Sequence, residues 1–311
     1  MHKIAILRCI YALKNANKFG DSSPHTRCNE SPGTRHPTEA PMNLRTLEHT
    51  TPALFWLILA LLAMALPTSL MGQIDHRTVG DLAWTANVWA KPLKFQLSIA
   101  LHLLTIVWAM AWMQRHCGVA LPGHKVLVVS LAITVLFEVV YITVQGARGV
   151  PSHFNRATPL ESVGASLMAG GASVLVGASA WIGAVALWRW YRLAPSQREP
   201  MLLAIGLGFV LMFVLAGYTG SALGQYRGPF VQVVKDAQAG LPLTGWRTDI
   251  GDLRIAHFWG VHSMQAVPLL AWPLSRLTLG LAHGGILAGA IAWSAMTVAL
   301  MQLALLGKGV L

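Results

Sequence analysis

Apolar residues in this chain run in long blocks instead of alternating with polar ones. Crossing the ~30 Å hydrocarbon core of a bilayer takes about 20 helical residues. Seven blocks reach that length: 52–71, 93–113, 125–146, 162–188, 200–222, 255–274 and 283–306. None shows the period-two alternation of a membrane barrel strand. The pattern predicts an all-α, polytopic transmembrane helix bundle with seven spans over residues 42–311.

Polar residues inside these blocks fall at helical spacing. Lys94, Ser98, His102 and Thr105 share one face of the second span. Ser130, Thr134, Glu138, Tyr141, Gln145 and Arg148 do so in the third. Arg254, Phe258, His262 and Gln265 do so in the sixth, with His257 on the adjacent flank. Tyr218, Ser221 and Gln225 line the end of the fifth. At ~1.5 Å of rise per residue, His102, Glu138 and His262 all lie roughly 12–14 Å below the same boundary. The expectation is one shared pocket, with Lys94 and Gln145 near its mouth. A charged side chain at the bilayer centre costs at least about 2.5–3.5 kcal/mol, so Glu138 should be protonated, paired or metal-bound. The fourth span is rich in small residues, Gly164, Ser166, Gly170, Gly171, Gly177 and Ser179. These read as close-packing surface between helices.

Composition agrees with the membrane assignment. Of 311 residues, 54% are apolar and 11% charged, against about 25% charged in a soluble domain. Mean hydropathy is +0.53. The net charge of +11 suits membrane topology and anionic lipid. No nucleotide-binding glycine loop or nucleic-acid module occurs, so no nucleic-acid partner is expected. Cys9, Cys28 and Cys117 form no CxxC, which leaves a disulfide framework, a zinc ribbon and covalent haem without support. Residues 1–41 are basic and lack a long apolar run. They read as a disordered extension or as a mis-assigned start, with translation beginning at Met42.

The short loops set the orientation. Loop 114–124 carries Arg115, with Lys125 at its edge; loop 189–199 carries Arg189, Arg192 and Arg198 against Glu199; loop 275–282 carries Arg276. Cations in short loops mark the cytoplasmic side. This predicts a cytoplasmic amino terminus and an external carboxyl terminus. The external loops then hold most of the unusual polar chemistry, including His153 and Asn155 in RGVPSHFN, where Pro151 disfavours a helix.

The strings WAKPLKFQLS, QGARGVPSHFNRATP, LPLTGW and GDLRIAHFWGVHSMQAVPLL resemble an uncharacterised family of bacterial multi-pass membrane proteins. The resemblance covers roughly residues 50–305. It implies a bacterial inner-membrane location and no particular reaction. Three functions stay open. The first is an outward pocket binding or transporting a small anionic or polar solute or lipid headgroup. It would use His102, Glu138, His262 and Gln265, with Lys94, Gln145, Arg148, His153, Asn155, Arg254 and His257 around them. The second is a membrane-embedded enzyme with a metal on His102, Glu138 and His262, or with haem between histidines. The third is a scaffold whose polar stripes only join helices.

Overall fold

The structure is a computed structural model and describes residues 43–81, 84–232, 240–241 and 244–310. The expectations for residues 1–41 lie outside the described residues. Short helix α1 (Leu44–Thr50) is capped by Asn43, whose side chain accepts from the Thr46 N–H. Then follow α2 (Pro52–Ile74), strands β1 (Thr78–Asp81) and β2 (Trp84–Asn87), α3 (Ala90–Cys117), α4 (His124–Arg148) and α5 (Pro159–Arg192). The chain continues through α6 (Pro200–Tyr226), α7 (Leu253–Val261), α8 (Ser263–Leu274) and α9 (Leu279–Leu305). Helices α2, α3, α4, α5, α6 and α9 are each long and apolar enough to cross a membrane. On α4, Val126, Val129, Ile133, Leu136, Val140 and Val144 are exposed along one face. A soluble domain rarely leaves so long an apolar stripe uncovered; in a bilayer, lipid covers it.

The expected sixth span is not one continuous helix. It is broken at His262 into α7 and α8. The Ser263 hydroxyl sits at the break. It donates to the Gly260 carbonyl at 2.9 Å and lies 3.1 Å from the Gly208 carbonyl on α6. A side-chain hydroxyl thus satisfies a carbonyl at a point where the helix turns aside. Gly208 permits the approach, since a Cβ there would stand 2.8 Å from the Ser263 carbonyl oxygen.

The broken pair still makes a full crossing. His283 Nε2 meets the Arg198 carbonyl beside the start of α6, and Gln302 Nε2 donates to the Tyr218 hydroxyl near its end. Helices α6 and α9 therefore run parallel, and the chain between them must return. It leaves from Leu253, whose N–H donates to the Pro229 carbonyl, and ends at Leu274, packed beside Gly285 on α9.

Two ends of the bundle follow. The short-loop end holds the α3–α4, α5–α6 and α8–α9 connections. The long-loop end holds the β-hairpin, residues 149–158, 227–232 and 244–252, and Val310, whose N–H donates to the Thr248 carbonyl. Four arginines at the long-loop end are paired with acids. Arg77 pairs with Asp75, Arg148 with Glu161, Arg247 with Asp249, and Arg254 with Asp252. Asp75 also accepts from the Trp89 indole at 2.8 Å. Hydrogen bonds from Arg77 and then Trp89 hold its carboxyl well below the usual carboxylate range.

The α5–α6 pair closes at the short-loop half. A Cβ at Gly183 would stand 2.9 Å from the Gly206 carbonyl and from the Val210 side chain. The other half of α5 leans away, burying Glu161, Gly164, Met168 and Gly171. Ile106 and Met110 of α3 join Phe209 and Met212 of α6 and Met264 of α8 in one buried apolar cluster. That cluster is the floor beneath the polar residues of the long-loop half.

Candidate functional site

Helix α3 buries Ile99, Leu103, Ile106 and Met110 on one face. Its polar stripe lies on the edge of that face, turned toward α7 and α8. Thr105 spends its hydroxyl proton on the Leu101 carbonyl, at 2.8 Å, and accepts from Gln265 Nε2 at 3.0 Å. Gln265 Oε1 in turn lies 3.2 Å from His262 Nδ1. An amide oxygen only accepts, so Nδ1 of His262 carries the proton and Nε2 the lone pair. Among the described residues the α3 backbone packs far more closely on α2 than on α6, α7 or α8, and this side-chain chain links it to α8.

His257 repeats the arrangement on α6. Thr219 donates its hydroxyl proton to the Leu215 carbonyl, so His257 Nδ1 donates to Thr219 Oγ1, at 2.9 Å. His262 is the common electrostatic neighbour of His257 and His102. His102 Nε2 is buried without a hydrogen-bond partner, and the backbone facing its ring is that of Leu175 on α5. Aromatic rings continue from His262 toward the long-loop end. Phe258 lies 4.1 Å from the His262 ring and Trp246 lies 5.1 Å from Phe258, centroid to centroid.

The turn at Thr244–Trp246 roofs this cleft. Lys94 Nζ donates to the Thr244 carbonyl at 2.8 Å, and Arg254 donates to the Gly245 carbonyl at 2.9 Å. The two cations are electrostatic neighbours. Gly245 has a φ of 67°, which favours glycine and turns both carbonyls toward them. Asp252 fixes the geometry. It caps α7 by accepting the Arg254 N–H, accepts the Arg247 N–H, and takes the Arg254 guanidinium on both oxygens. Its side chain has no exposed surface. Asp249 is held below its ordinary range by the Arg247 hydrogen bond.

His153 sits in the 149–158 loop, 5.3 Å from the Phe95 ring and bonded to the Ser152 hydroxyl. Lys91 lies over the same Phe95 ring at 5.9 Å. Burial, reinforced by Lys91, pushes the His153 imidazole down to about 3, so it is neutral at physiological pH. Asn155 accepts the Ala157 N–H across a turn, a structural role.

Three expected members belong elsewhere. Gln145 is buried between Tyr141 and Arg148, and Arg148 reaches Glu161 at 3.2 Å. Thr158 caps the start of α5: its hydroxyl accepts the Glu161 N–H and donates to the Glu161 carboxylate. These groups tie α4 to α5 and do not line the histidine cleft. Glu138 faces α5 as well, since a Cβ at Gly171 would stand 2.5 Å from its Oε1. The metal set His102, Glu138 and His262 is therefore corrected. Among the described residues, no group of three or more His, Cys, Asp or Glu side chains is placed to hold a metal ion. Equal depth did not bring Glu138 to His262, because Glu138 points along the α4–α5 contact while His262 bonds Gln265, which reaches Thr105 on α3.

Sequence reasoning missed Thr219, Phe95 and Glu161. The string Thr158-Pro-Leu-Glu161 signals a helix start capped by Thr158 and could have revealed Glu161. Nothing local marks Thr219, whose partner lies on another helix. The chain matches no protein-family model, no curated protein and no solved structure.

Proposed function

We propose that this helical membrane protein binds or transports a small anionic solute through the cleft between α3 and α6–α8. The observation that carries the reading is the Thr105–Gln265–His262 bridge, which joins α3 to α8 through side chains alone, beneath a mouth holding Lys94 and Arg254. Asp252 offsets the Arg254 charge and no acid is paired with Lys94 among the described residues, so the entrance stays cationic. Cationic walls of low dielectric concentrate an anion. Deeper in, the histidines and Gln265 present donors and lone pairs to its oxygens, and His102 Nε2 lacks a partner of its own. The apolar floor supports a cleft open toward one side only.

The number of arginines in the short loops supports a cytoplasmic side for that end and so an external cleft. A bacterial inner-membrane location, with a cytoplasmic amino terminus and an external carboxyl terminus, rests on these arginines and on the family resemblance.

The test is calorimetric titration of the detergent-solubilised protein with inorganic phosphate, citrate and a short-chain phosphatidylglycerol. Saturable binding of at least one, weakened in Lys94→Gln and in His262→Ala, is the expected result. Phosphate or citrate binding identifies a free solute; binding of the lipid alone identifies a headgroup. No binding of any of the three, or binding indifferent to both substitutions, overturns the reading.

A further inference from the structure

Glu138 is the one acid at mid-depth in the described helices, and the cleft does not use it. Its residue is 2% exposed, and its Oε1 is buried without a hydrogen-bond partner. The carboxyl occupies the notch that Gly171 leaves on α5, beside Thr134 of its own helix. Leu175, the backbone neighbour of His102, lies one helical turn further along the same α5 face. An orphaned carboxyl oxygen in a fitted notch and an orphaned imidazole nitrogen thus flank one helix, the second of them in the cleft.

We infer that Glu138 is a proton-binding site linked to occupancy of the cleft, so that proton and anion are bound together. The inference rests on the anion-binding reading of the cleft. A carboxylate with no counter-charge is costly in an apolar setting, and the seam offers Glu138 none. From α4 itself the nearest titratable group is Tyr141, engaged with Gln145. From α5 it is Glu161, nearly three turns away and paired with Arg148. Helix α3 contributes His102, and α2 carries no charged residue or histidine. Glu138 is thus held as the neutral acid. When it loses its proton it adds a negative charge beside the cleft and repels an anion there. By reciprocity, a bound anion favours the proton on Glu138. Joint binding also leaves a neutral load, which the apolar floor opposes less than a bare anion.

The experiment has two arms on the full chain. Infrared spectra at neutral pH are compared for the protein and Glu138→Gln, without ligand. The expected result is a protonated-carboxyl band that the substitution removes; no such difference overturns the inference whatever the cleft binds. Phosphate titrations across pH form the second arm. The affinity of the unsubstituted protein falls with rising pH, and Glu138→Gln loses about one tenfold step per pH unit from that slope. It keeps whatever slope the cleft histidines supply and binds as tightly at low pH. An unchanged slope overturns the linkage. Absence of phosphate binding with the band intact overturns the linkage too, through failure of the anion reading, and leaves only a protonated Glu138.

Discussion

The α4–α5 seam and the histidine cleft start from the same sequence signal and end in opposite states. Both are built on polar residues at helical spacing. Near the long-loop end of the seam, Tyr141, Gln145, Arg148, Glu161 and Thr158 use one another up in a continuous network. In the cleft the bonds run in single file, and donors or lone pairs remain at His102, His257 and His262. A satisfied network rigidifies; a partly satisfied one is ready for a ligand. Glu138 is the exception within the seam, and its orphaned oxygen marks it out from its neighbours.

This contrast predicts that substitutions in the seam change stability and those in the cleft change binding. The largest effect is expected at Gly164, where a Cβ would collide with the Tyr141 hydroxyl. Gly164→Val should destabilise the bundle by about 3 kcal/mol through overpacking, read as thermal unfolding in detergent. His262→Ala should weaken anion binding by about 2 kcal/mol, the scale of a charge-assisted hydrogen bond, while unfolding barely moves. A loss of stability without a loss of affinity would erase the distinction.

Arg148→Met keeps the aliphatic stem and removes the charge. Since Arg148 is half exposed, its pair with Glu161 is screened, and about 1 kcal/mol of stability should be lost with phosphate titration unchanged. The smallest effect concerns Asp75, outside both regions. Its carboxyl is held below the ordinary range in the folded chain, so its contribution is complete above about pH 4. That contribution fades as pH falls further. Hydrogen exchange at the Trp89 indole should accelerate in acid, and Asp75→Asn should remove that pH dependence.

Most of the scaffold was legible in the chain. Six of the seven expected spans are single helices close to their expected limits, and the 255–274 block crosses as a broken pair. The break escaped notice because nothing local in the block marks it, and the contact of Ser263 beside it is to the Gly208 carbonyl, 55 residues away. The candidate site was legible as stripes and not as an assembly. His102, His257, His262, Gln265, Lys94 and Arg254 come together, whereas Glu138, Gln145 and Arg148 face α5.

Local sequence therefore determined the helices, their lipid-facing stripes, the Thr158 cap and the polar edge of each span, because each depends on residues within a few turns of one another. Tertiary structure decided which edges meet. Helix crossing and the small residues at Gly171, Gly183 and Gly208 set the approach of the backbones. That approach alone determines whether a buried polar group finds a partner or is left free to bind one.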